Sequence, residues 1–268
     1  MSLPEATEIT IEDSEAPRRA VKSLEHPSLA GRLTNLVGKP VELIGYALPS
    51  FASQAIASAT SKGLEAALKV ALRTLPSAPW SNSQFLHRVL ATASGAPGGT
   101  FGLAALPVEL PVSTTIMLRS IADIARNEGE DLSDPETALA CVEVFALGGR
   151  PGSADASESG YFAVRGMLAK TVTEAASFVA ERGLLKEGAP ILLKFVTQVA
   201  ARFGLVVTQK VAAQALPVVG ALGGAAVNYA FIEHFQDVAR GHFTVRRLER
   251  HYGRERIRSE YDLIAGTL

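Results

Sequence analysis

A single cysteine, Cys141, in 268 residues excludes an intramolecular disulfide and any metal site built from several thiolates. It reads as a core thiol, compatible with a reducing compartment. The chain has no nucleophile elbow GxSxG, no phosphate loop GxxxxGK[ST], no dinucleotide fingerprint GxGxxG and no HExxH zinc helix. Without these motifs, Ser159 and Cys141 have no claim to be nucleophiles. The N-terminus carries Glu5, Glu8, Glu12, Asp13 and Glu15 where a secretory signal needs a basic start and an apolar stretch, so a cytoplasmic location is expected. A net charge of −1 gives no electrostatic footprint for a nucleic acid, and no partner of that kind is expected. Aromatic residues make up only 6% and alternating valine-rich strands are missing.

What the chain does have is alanine, leucine and helix punctuation, and the expected fold is all-α. The length suits one large helical domain able to bury a substantial core. The expected division is an acidic, disordered tail over 1–25 followed by a single multi-helix domain over 26–268. From Ser50 to Leu75, Ile56, Leu64, Leu68, Leu72 and Leu75 recur mostly at helical spacing. Lys62, Glu65, Lys69 and Arg73 fall on another face, which predicts an amphipathic helix. Asp134 before Pro135 predicts a capped helix start, and Gly148-Gly149 its stop. Further helices are predicted from Val112 to Arg126, from about Ser157 to Arg182, and from Pro190 to about Phe203 before Gly204. Prolines 40, 49, 76, 107, 111 and 217 stand where helices should start or break, and Gly149 to Ser157 is the best loop candidate.

Two runs carry no charge at all, Val89 to Val108 and Val211 to Ile232. Each approaches the roughly 17 to 25 apolar residues that a membrane-spanning helix needs. Yet both are rich in Ala and Gly, with Pro97 and Pro107 in the first and Pro217, Gln214 and Asn228 in the second. Gly95 and Gly99, Gly98 and Gly102, and Gly220 and Gly224 have GxxxG spacing, which lets a neighbouring backbone approach closely. The runs are read as glycine-rich apolar helical hairpin elements. Spanning, shallow docking on a membrane and burial in a soluble core all remain open.

Each run leads into polar residues. After the first, Thr115, Arg119, Asp123 and Arg126 share one arc of a helix, either an anion or headgroup site or an ion-paired ladder. Glu109, between two apolar stretches, needs a partner if buried, and one of those arginines is the expected one. After the second run come Asn228, Glu233, His234, Asp237 and Arg240. His242 and His251 lie at spacings that do not make a zinc helix, and no metal or other cofactor is expected. The alternative is enzymatic: Glu109, Arg119, Asp123, His234 and Asp237 would converge into one hydrolase or metal-dependent pocket. From Arg240 to Arg258 the chain is locally basic, and Arg246, Arg247 and Arg250 are the expected contacts to anionic lipid headgroups.

The segments GLAALPVELPVSTTIMLRSIADIARNEGEDLSDPE, CVEVFALGGR, ESGYFAVRGMLA and LPVVGALGGAAVNYAFIEHFQDVARGHFTVRRLERHYG resemble characteristic portions of the EcsC-like protein family, over about residues 86–253. The resemblance implies a bacterial protein of poorly defined activity, named for a gene beside an ABC transporter linked to protein secretion. It assigns no catalytic residue. The expected function is therefore a noncatalytic helical protein, peripheral at the cytoplasmic membrane face. Its expected partners are an anionic membrane surface or a membrane protein such as an ABC transporter, with homo-oligomers open.

Overall fold

A computed structural model describes residues 11–25, 29–38, 49–75, 106–149, 160–182, 189–214 and 221–267. Among them all regular structure is helical, as expected for an all-α domain. The helices are α1 (Ile11–Ser14), α2 (Ala16–Glu25), α3 (Leu29–Val37), α4 (Ser50–Thr74), α5 (Leu106–Asn127), α6 (Pro135–Leu147), α7 (Tyr161–Arg182), α8 (Pro190–Gln214), α9 (Ala221–Tyr252) and α10 (Arg254–Ala265).

The centre of the bundle is α6, in which every residue from Thr137 to Leu147 is buried. A helix apolar on all sides has no face to give to water, and α4, α5, α7, α8 and α9 surround it. Its start is fixed as the sequence predicts: Asp134 accepts a hydrogen bond from the Glu136 amide at 2.9 Å, with proline at the first helical position. Phe145 packs against Phe203 of α8 and Phe235 of α9, with ring centroids 4.9 and 5.3 Å away, and Phe231 joins the same stack. Burying each such ring contributes on the order of 2 kcal/mol, which makes this stack the strongest link between α6, α8 and α9.

Among the described residues, close approaches occur at Gly148, Gly149, Gly63 and Gly241. A Cβ on Gly148 would come within 2.5 Å of the Phe235 ring, and one on Gly149 would strike the Arg202 backbone carbonyl. On α4, Gly63 lies opposite α5, where a Cβ would meet Thr114 Oγ1 at 3.0 Å. Gly241 admits α2, where a Cβ would meet Leu24 Cγ at 2.7 Å. Gly224, expected to be a packing position, has nothing among the described residues within 4 Å of a Cβ. Gly95, Gly98, Gly99, Gly102 and Gly220 lie outside the described residues, as do Pro40, Pro76, Pro97 and Pro217, most of the first uncharged run and most of the loop after Gly149.

Three expectations change. Residues 11–25 are not a disordered tail: α1 and α2 lie against the bundle, with Ala16, Ala20, Val21 and Leu24 buried. The helix predicted to end at Gly204 runs on to Gln214, because Val206, Val207, Lys210 and Val211 continue the buried face of Phe195, Val199 and Phe203. Tertiary burial outweighs the cost of about 1 kcal/mol for a glycine inside a helix. Finally, α5 starts at Leu106 and passes through both Pro107 and Pro111. Residues in the first turn have no intrahelical acceptor for their amides, so Pro107 forgoes nothing and Pro111 forgoes one bond. Among the described helices only α8 is long and apolar enough to cross a membrane by length and composition, and it is not one of the two uncharged runs.

Candidate functional site

The end of the first uncharged run and both ends of the second meet at one place. Lys210 donates a hydrogen bond from Nζ to Glu109 Oε1 at 2.9 Å, and the same ammonium lies 4.9 Å from the centroid of Phe231. Glu109 directly follows the first run, Lys210 directly precedes the second, and Phe231 is one residue from its end. A lysine so deeply buried, 2% exposed in its side chain, requires an opposite charge. Glu109 supplies it across α5 and α8, while the Phe231 ring adds a cation–π contact from α9. The arginine partner expected for Glu109 on its own helix is replaced by this lysine. Beside Glu109, Val108 and Val112 on α5 stand 72% and 51% exposed, so the charged lock has an apolar rim.

The residues proposed to converge from the two halves do not form one cluster. Asp123 pairs with Arg126 on its own helix at 3.5 Å. Burial raises the Asp123 carboxyl above its usual range, outweighing Arg126 and Arg119. Arg119 is exposed and Thr115 half-buried, so this stripe is a helix-surface ladder. His234 is buried, and its ring Nε2–H donates to the Gly148 carbonyl at 2.9 Å. That bond ties α9 to the end of α6. Burial holds the imidazole down to about 4, with Arg32 acting in the same direction and Gly148 and Asp237 against it. Asp237 accepts from Arg32 of α3 at 2.7 Å and from Arg240 at 2.8 Å, and Glu233 accepts from Arg32 at 3.4 Å. Asn228 has a buried Oδ1 without a hydrogen-bond partner among the described residues. No group of three His, Cys, Asp or Glu side chains among them could hold a metal ion.

The arginines expected to face lipid are paired with acids of the chain itself. Arg246 donates to Glu130 at 2.9 and 3.1 Å, Arg247 to Glu128 at 2.8 Å and Asp13 at 2.7 Å, and Arg250 to Glu130 and to the Glu128 carbonyl. The turn carrying Glu128 and Glu130 needs Gly129 between them, where φ is +77°. Asp13 also accepts from Tyr252 at 2.9 Å, so this clasp joins α1, the α5–α6 turn and α9. The Glu130 carboxyl is held below its usual range: burial raises it, but Arg246 and Arg250 more than offset that.

A buried polar cluster went unread in the sequence. Arg165 of α7 makes two hydrogen bonds to Glu249, at 2.8 and 2.7 Å, and a third to the Tyr161 hydroxyl at 3.3 Å. With that oxygen accepting from Arg165, Tyr161 donates to His242 Nδ1 at 3.0 Å. Burial holds His242 well below its ordinary value, with Arg165 and Arg246 acting in the same sense. Glu143 of α6 feels the same two arginines, yet burial dominates and pushes its carboxyl up to about 7. Glu143 Oε1 and His242 Nε2 have no hydrogen-bond partner among the described residues. The available signal was Glu143 itself, an acid inside the apolar run CVEVFAL. Glu25 closes the cluster from α2, accepting from the Tyr161 amide at 3.1 Å and the Tyr261 hydroxyl at 2.6 Å.

Comparison with curated proteins and with solved structures found no match. A family comparison did, over residues 15–248, and it therefore takes in α2, α3 and α4, which the segments quoted from the sequence left out. With most of its length matched, from α2 through most of α9, the chain belongs to the EcsC protein family.

Proposed function

We propose that this protein is a noncatalytic, membrane-proximal helical protein that docks on the cytoplasmic face of a membrane, beside a membrane protein such as an ABC transporter. The observation that carries the reading is the lock of Glu109, Lys210 and Phe231, which gathers the end of the first uncharged run and both ends of the second beside α5 and α8. The exposed Val108 and Val112 belong to that end. Attachment is by apolar surface, since Arg246, Arg247 and Arg250 are spent on Glu128, Glu130 and Asp13. The enzymatic alternative loses its motivation once Glu109, Asp123, His234 and Asp237 each have a separate structural partner.

The test is flotation of the full chain with phosphatidylcholine vesicles, at low and high salt, beside the double variant Val108→Asp/Val112→Asp. Wild type is expected to float at both salt concentrations. Two carboxylates at that edge are expected to reduce binding by about tenfold or more, from lost apolar burial and added charge. Failure of the wild type to float, or full binding by the double variant, sinks the reading.

A further inference from the structure

We infer that Lys210 is a binding site for the phosphate of an anionic lipid headgroup, and that Glu109 occupies this site as an internal stand-in until the protein meets the membrane. This inference rests on the docking reading above. A buried ammonium cannot be left without a counter-charge, so Lys210 must hold an anion in every well-populated state. In the free protein that anion is Glu109 Oε1, 2.9 Å away. The same ammonium also lies 4.9 Å from the Phe231 ring centroid, a second favourable contact.

The two partners differ in access. The Lys210 side chain is 2% exposed and that of Glu109 is 18% exposed, so Glu109 comes to the lysine from the solvent side. A phosphate arriving there can accept the same charge-assisted hydrogen bond that the carboxylate accepts. Because one anion replaces another, the exchange avoids the unpaired intermediate that would make simple opening unfavourable. The lysine stem is long enough to keep its alkyl part buried while the ammonium turns toward the surface.

The surroundings favour a lipid over a soluble phosphate. Val108 and Val112 stand exposed on the same turns as Glu109, so acyl chains would meet apolar side chains where the headgroup meets the ammonium. Releasing Glu109 also unties α5 from α8 at this contact. Headgroup binding and release of the α5–α8 contact are thus one step, and the Glu109–Lys210 pair is the latch.

The experiment compares wild type, Glu109→Gln, Lys210→Met and the neutral double variant Glu109→Gln/Lys210→Met, all as full chains. Binding is measured on vesicles of phosphatidylcholine alone and with added phosphatidylglycerol. Melting temperatures are taken in buffer, with each vesicle and with glycerol phosphate. Wild type is expected to prefer the phosphatidylglycerol vesicles, and Glu109→Gln to raise that preference about tenfold, the worth of one hydrogen bond to a charged group. Glu109→Gln should melt lower in buffer and recover with phosphatidylglycerol vesicles. Lys210→Met and the double variant should keep binding to phosphatidylcholine and lose the preference. If folded Glu109→Gln shows no gain, or if either lysine variant keeps the wild-type preference, the latch is refuted. The double variant has no charge to strand, so it decides the matter should a single variant not fold. Recovery of Glu109→Gln by glycerol phosphate, with loss of vesicle binding in its presence, replaces the lipid by a soluble anion and overturns the assignment. Absence of binding to any vesicle refutes the docking reading instead.

Discussion

Replacing Glu143 by glutamine should stabilise this protein, and only above mildly acidic pH. Glu143 is 4% exposed on the central helix, and burial pushes its carboxyl from the ordinary 4.5 up to about 7, although Arg165 and Arg246 pull the other way. The folded chain therefore keeps a proton between those two values that the unfolded chain has released. Stability from Glu143 is fully present below about 4.5 and is lost as pH rises through 7. The gap between the two values corresponds to about 3 kcal/mol. Glutamine has the shape of the protonated acid and nothing to ionise. The variant and the wild type should be equally stable near pH 4.5, diverge through pH 7, and differ by about 3 kcal/mol at pH 8 in favour of the variant. In Tm that is roughly 6 to 12 °C for a chain of this size. His234 works in the opposite sense, since burial lowers it from 6.5 to about 4. Its contribution is present above 6.5 and falls away toward pH 4, which partly masks Glu143 in the wild-type profile. Urea denaturation of both proteins at matched pH values, followed by circular dichroism, isolates the difference. Parallel curves from pH 4.5 to 8, or a variant less stable at pH 8, would refute a buried, proton-holding Glu143.

Removing the acid at the centre of the clasp has the reverse effect. Glu130→Gln leaves Arg246, 16% exposed in its side chain, with only the more distant Glu136 carboxylate at 3.9 Å, and should cost about 3 kcal/mol, read as a fall in Tm of roughly 6 to 12 °C. Because Glu130 titrates below its usual range, that loss is present at neutral pH and shrinks as pH falls toward acid. Loss of less than about 1 kcal/mol at neutral pH would mean that the clasp is surface decoration. Gly149→Ala drives a methyl into the Arg202 carbonyl and should destabilise by about 1 to 3 kcal/mol in urea denaturation. Gly166→Ala, in mid-helix with nothing within 4 Å, should instead stabilise by about 0.4 to 1 kcal/mol.

Local signals were legible and distant ones were not. The limits of α4 and α6 could be read because their determinants are neighbours in sequence: the leucine periodicity, the Asp134 cap with Pro135, and the glycines after Leu147. The end of α8 was misread at Gly204 because the glycine is visible locally, while the burial of Val207 and Lys210 is set by other helices. The segment 11–25 was read as a tail for the same reason. Its acids find partners far along the chain, Asp13 on Arg247 and Tyr252, and Glu25 on Tyr161 and Tyr261. Only Ala16, Ala20, Val21 and Leu24, at helical spacing, hinted that this stretch has a buried face. For the candidate site, Glu109 could be singled out because an acid between apolar stretches stands out. Its partner could not, because Lys210 is an ordinary lysine until the fold buries it.

The basic tail shows why composition alone does not reveal what a run of arginines contacts. A run of arginines has the same sequence appearance whether it faces lipid or a complementary run of acids elsewhere in the chain. Here Glu128 and Glu130, in the turn after α5, are that complement, and the Gly129 conformation between them allows both to reach α9. Once Arg246, Arg247 and Arg250 are engaged, a headgroup could recruit them only by breaking paired and partly buried charges. Breaking such pairs is far costlier than the roughly 1 kcal/mol that a base gains beside an anionic surface. The balance moves the expected membrane contact away from the most charged part of the sequence. The proposed contact is the opposite kind of surface, the exposed valines at the start of α5 beside the Glu109–Lys210 pair.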